Sequence, residues 1–154
     1  MEFFGIVAAL AIVTGGTISA FTARRPTRFA MWVTAYLVLI VGVVQAGLLF
    51  GWQQLGSPLL GWAATAFVLY NLGNIGVIAG RWLKGKESWA RYIVYGGGAL
   101  LGIAMLILGG LSLTVTFSWV HAILLAFIVI ILVSMPIGLW LSARSHKDLH
   151  KAGK

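Results

Sequence analysis

The sequence predicts an all-α, polytopic membrane helix bundle with five transmembrane helices, N-terminus outside and C-terminus inside. Three observations predict it. Of the 154 residues, 60% are hydrophobic and 9% charged, with three acidic side chains in all. Soluble domains carry roughly a quarter charged residues to solvate their surface, so most of this chain has lipid as its solvent. Five apolar stretches each reach the roughly 20 residues that a helix needs to cross a hydrocarbon core of about 30 Å. Finally, every Lys and Arg falls in one of three segments that alternate with uncharged connections.

The spans are placed at Phe3–Ala23, Phe29–Gly51, Pro58–Gly80, Tyr92–Leu111 and Trp119–Leu141, with a basic tail at 142–154, so that 1–154 is one membrane domain. Helix is the expected form, because a lipid-exposed backbone must satisfy its own hydrogen bonds and no alternating barrel pattern is present. Arg24, Arg25 and Arg28 follow the first span. Arg81, Lys84, Lys86 and Arg91 lie between the third and fourth, and Arg144, Lys147, Lys151 and Lys154 follow the fifth. Basic loops stay cytoplasmic, which puts these three segments inside and the uncharged connections Trp52–Ser57 and Ser112–Ser118 outside. The expected location is the inner (plasma) membrane. The first span is not a signal peptide, since Glu2 precedes it and the arginines follow it.

The tryptophans fit this map as an interfacial belt: Trp52, Trp62 and Trp119 outside, Trp32, Trp82, Trp89 and Trp140 inside. Short connections make consecutive helices antiparallel neighbours. Small residues should then mediate close packing: the ridge Ala11, Gly15, Ser19 and Ala23 on the first span, Gly42 and Ala46 on the second, Gly76 and Gly80 on the third, Gly98 and Gly102 on the fourth. Pro136 should bend the fifth span, with Ser134 close enough to satisfy the backbone group that proline frees.

Composition excludes several chemistries. The chain has no cysteine, which removes disulfides, iron–sulfur ligation and thiolate zinc sites. The net charge of +8 sits at membrane boundaries and reads as attraction to lipid headgroups rather than to nucleic acid. Glu2, Glu87 and Asp148 all lie outside the spans, and no cation lies within one. An ion-coupled transporter would want such a group inside the membrane. Gly96–Gly97–Gly98 lies within an apolar span and lacks the lysine of a phosphate loop.

The neutral polar groups Gln45, Tyr70, Asn71, Asn74 and Tyr95 form the candidate polar site. Thr17, Thr34, Asn74, Tyr95 and Ser134 fall at similar depth, roughly 6–9 Å inside the midplane at 1.5 Å per residue. Interhelical hydrogen bonds, about 0.6 kcal/mol each, account for such residues, as does a narrow path for a small solute. His121, two residues after Trp119, is a candidate contact for a quinone headgroup or a haem, although haem would need a second ligand. His146 and His150 in the tail share a helix face and have a spacing that can bind a metal. No nucleophile–base–acid set can be assembled, which argues against an enzyme. No cofactor is predicted; lipid contacts are expected, and a quinone is the alternative kept open.

Three functions remain. The first is a non-catalytic accessory or scaffold subunit of a membrane complex or homo-oligomer, its partners being membrane lipids, other membrane subunits or its own copies. The second is a passive channel or transporter for a small solute, using Asn71 and Asn74. The third is a redox accessory subunit with quinone or haem near His121.

Overall fold

A computed structural model of the chain describes the backbone of residues 1–25, 27–54, 60–83, 89–114 and 117–152, and the side chains of these except 60, 135 and 138–152. Every element among the described residues is helical: α1 (Glu2–Thr22), α2 (Arg28–Gln54), α3 (Leu60–Leu83), α4 (Ala90–Ser112) and α5 (Trp119–Ala152). By length and composition α1 to α4 are each able to cross a bilayer, and α5 contributes a fifth apolar stretch over Trp119–Ser134. The fold is the predicted all-α membrane helix bundle.

Local signals set the helix starts. Glu2 places a carboxylate in the first turn of α1, where the helix dipole favours it. The Thr27 hydroxyl accepts the amide of Ala30 at 3.1 Å and caps α2. Ser118 does the same for His121 at 3.2 Å at the start of α5. α5 runs through Pro136 as one helix and continues through most of the basic tail. The Ser134 hydroxyl donates to the Ile131 carbonyl, one residue short of Leu132, the carbonyl that Pro136 would have engaged. It therefore does not do what the sequence suggested.

The interior of α2 is not α-helical. Leu37–Val44 winds as a π-helix between the α-helical segments Arg28–Tyr36 and Gln45–Gln54. Apart from Gly42, the segment is entirely branched aliphatic. Gly42 stands where a side chain would collide with Ile12 of α1, and a Cβ on Gly15 of α1 would stand 2.7 Å from Val38 Cγ2, too close for contact. Two glycines thus let α1 lie flat along the π segment. Ala11 and Gly15 of the predicted ridge are buried in this contact, while Ser19 and Ala23 are exposed beyond it.

The tightest pair is α3 with α4. A Cβ on Gly73 would stand 2.7 Å from the Gly97 carbonyl oxygen, one on Gly76 3.0 Å from the Gly97 Cα, and one on Gly80 2.8 Å from the Val94 amide nitrogen. Backbone meets backbone over two turns. On α4 the central residue is Gly97, beside the predicted Gly98, which is also buried. α5 closes the bundle against α4 and against the last turns of α2, where Gly47 and Gly51 face Phe127 and Leu124.

The core gathers in the half of the bundle towards the uncharged connections. Phe4, Leu48, Trp52, Phe67, Tyr70, Met105, Leu108 and Leu124 fill it, and the Phe4 and Phe67 rings stack at 5.3 Å. Trp52 belongs to this core at 2% exposure, whereas Trp62, Trp82, Trp89 and Trp119 face outward as a belt should. The map of interfacial tryptophans fails for Trp52 because it shares a face of α2 with the buried Gln45 and Leu48, turned into the core.

Candidate functional site

Three polar side chains of the membrane region, Tyr36, Tyr70 and Asn74, meet on one seam between α2 and α3. Trp32, Tyr36 and Ile40 recur every four residues and share a face of α2; Tyr70, Asn74 and Arg81 share a face of α3. The two helices run antiparallel, so the rows meet as a ladder. The Arg81 guanidinium lies 4.5 Å from the Trp32 ring centre, and Trp32 packs on Tyr36 at 4.9 Å. The Tyr36 hydroxyl donates to Asn74 Oδ1 at 2.8 Å. One turn deeper, the Tyr70 hydroxyl donates to the Ile40 carbonyl.

The last contact ties the seam to the π segment. A π turn shifts the hydrogen-bond ladder from i−4 to i−5, and Ile40 lies inside the π segment Leu37–Val44. Tyr70, fully buried, supplies the donor that Ile40 accepts. On the core side of this rung, Gln45 Nε2 donates to the Phe4 carbonyl at 2.8 Å and fastens α2 to the first turn of α1.

The predicted site residues separate into two groups. Gln45, Tyr70 and Asn74 are buried and bridge helices. Asn71 is partly buried and donates to the Phe67 carbonyl of its own helix at 2.8 Å. Tyr95 is 42% exposed on the outer face of α4, and the structure does not bring it to the others. Of the remaining groups at that depth, Thr17 and Ser134 are exposed and bond their own backbones. Tyr36, Trp32 and Arg81 were missed as partners, though their four-residue spacing opposite Tyr70 and Asn74 was a readable signal.

Some buried polar atoms have no protein partner: Thr34 Oγ1, Gln45 Oε1, Asn74 Nδ2, Trp52 Nε1 and both ring nitrogens of His121. His121 is 4% exposed and packs against Phe117 at 5.5 Å, so it faces the bundle rather than the interface. It lies one turn before Leu124, which meets α2 at Gly51. No three His, Cys, Asp or Glu side chains among the described residues are grouped to hold a metal. The side chains of His146 and His150 lie outside the described ones.

If the Tyr36–Asn74 pair is a fastening, its removal has a characteristic pattern. Tyr36→Phe alone should lower stability by about 0.6 kcal/mol, with about 1.7 as the ceiling for such bonds. Asn74→Leu alone should cost as much or more, because it strands the Tyr36 hydroxyl. The double variant should recover most of that loss, since replacing both partners with apolar groups leaves nothing unpaired. Unfolding in mixed micelles, read by circular dichroism, checks the cycle.

Compared with protein-family models, with curated proteins and with solved structures, the chain matches none.

Proposed function

We propose that this membrane protein is a non-catalytic accessory or scaffold subunit, packing against other membrane subunits or copies of itself. The observation that carries this reading is the use its interior makes of polar groups. Tyr36, Asn74, Tyr70 and Gln45 join helices to one another, and large side chains fill the space between them and the uncharged side. That supports a rigid packing unit over a conduit for solute. Outward-facing glycines support the same reading: Gly5 and Gly16 on α1 and Gly96 and Gly110 on α4 have open space where a side chain would stand. Bare backbone on a lipid-facing surface favours close approach by another helix. The orientation belongs to the proposal: plasma membrane, basic connections in the cytoplasm.

Extraction from native membranes in mild detergent, followed by native mass spectrometry, tests it. The expected result is a defined complex or homo-oligomer. A lone 16.5 kDa chain carrying no other protein contradicts it.

His121 supports a second reading, a redox accessory subunit. Its ring nitrogens are buried without a partner, and an imidazole N–H is a donor for a quinone carbonyl. Quinone co-extracted with the wild-type protein and lost from His121→Leu would favour that reading; equal quinone content in both would remove it.

A further inference from the structure

We infer that the groove between α1 and α2 on the basic side is a binding site for one anionic phospholipid. The groove holds about 270 Å³ and is lined by Ser19, Thr22, Ala23, Met31, Thr34 and Ala35. Its walls are apolar except for three hydroxyl residues, and it opens to the membrane along the lower half of the two helices. That volume admits a glycerol ester and the first methylenes of one chain, not a whole lipid.

Charge at the mouth of the groove selects the headgroup. Arg24 and Arg25 follow the lining residue Ala23 directly. Arg28 lies three residues before Met31 and seven before Ala35, on the same helical face. All three arginines are exposed, and among the described residues none of them makes an ion pair or ring contact. Arg81 and Arg91, by contrast, are engaged with the rings of Trp32 and Tyr92. The only carboxylate among the described side chains, Glu2, is at the far end of α1.

Depth selects a lipid over free phosphate. Thr34 lies six residues, about 9 Å, further into the membrane than Arg28. The headgroup layer on each side of a bilayer is of similar depth, about 5–8 Å. A phosphate among the arginines therefore brings its glycerol ester to the level of Thr34. The Thr34 hydroxyl is buried without a partner and is a free donor for an ester carbonyl. The Thr22 hydroxyl, which donates to the Ile18 carbonyl at 2.7 Å, keeps its oxygen available as an acceptor. Met31, Ala35 and Ala23 then flank the start of the acyl chain.

The experiment is native mass spectrometry of the full chain in detergent, titrated with phosphatidylglycerol, phosphatidylcholine or inorganic phosphate. Phosphatidylglycerol should be retained at about one tenth the concentration that phosphatidylcholine needs, in line with the attraction expected of cationic side chains at a membrane surface. Arg24→Gln/Arg25→Gln/Arg28→Gln should abolish the preference. Ala35→Phe, at an exposed position that fills the groove, should abolish retention with the arginines intact; Ala23→Phe serves if that variant loses helical circular dichroism. Retention by the groove-filled variants at the wild-type level would overturn the site and leave only a charged loop. Full displacement of the lipid by millimolar phosphate would overturn the lipid as its occupant.

Discussion

Gly97→Leu is expected to separate α3 from α4, while Gly96→Leu, one residue earlier, leaves the bundle intact. A Cβ at Gly97 would stand 2.7 Å from the Gly73 carbonyl oxygen, 2.7 Å from the Val77 amide nitrogen and 2.9 Å from the Gly76 carbonyl carbon. All three are backbone atoms, so no side chain can rotate out of the way and the helices must part. Overpacking a core costs about 1–3 kcal/mol where side chains can adjust; here they cannot, and the loss should reach about 3 kcal/mol or more. Gly96 faces open space within the chain, and a leucine there meets none of the chain's own helices, so the stability of the single bundle should change by no more than about 0.5 kcal/mol. Unfolding curves of the two variants in the same micelles give the comparison. Equal stability would mean that α3 and α4 do not touch through their backbones.

Phe67→Ala should produce the second large effect, and its size depends on the solvent. Phe67 has no exposed surface and stacks on Phe4. In a soluble protein such a truncation costs about 3–5 kcal/mol, the sum of a transfer term and a cavity term. For a membrane helix the transfer term nearly vanishes, because lipid tails are as apolar as the core. The cavity term remains: roughly 100 Å³ at about 24 cal/mol per Å³ gives about 2 kcal/mol. Phe3→Ala, at an exposed neighbour on α1, should change stability little. A Phe67→Ala loss no larger than that of Phe3→Ala would show that the bundle does not close around Phe67.

The architecture was legible because it follows from transfer energies. Runs without charge are helices apolar enough to cross a membrane whatever their neighbours, and the helices found match the predicted placement to within a few residues, except that α5 continues through the tail. The π segment was not legible. Leu37–Val44 is as apolar as the rest of its span, and its winding depends on Gly15 and Ile12 of α1 and on Tyr70 of α3. Which glycine sits at a contact also lay beyond the spacing rule: Gly97 and Gly98 are adjacent, and only the helix crossing makes Gly97 meet Gly73. Asn74 and Gln45 stood out as polar groups in hydrocarbon. Their partners did not: Gln45 bonds a backbone carbonyl, that of Phe4, and the Tyr36 that bonds Asn74 is one more aromatic in a chain rich in them. Tyr95 shared a depth with Asn74 without sharing a face, and depth alone does not bring groups together.

Side-specific labelling of single cysteines is the most direct test of five crossings with all basic connections on one side. The chain has no native cysteine, so each introduced thiol reports alone. With a membrane-impermeant maleimide on intact cells, Gln54→Cys and Thr114→Cys should react from outside, whereas Arg25→Cys and Lys86→Cys should react only after permeabilisation. Exterior labelling at Arg25→Cys or Lys86→Cys, or protection at either uncharged connection, would contradict the account.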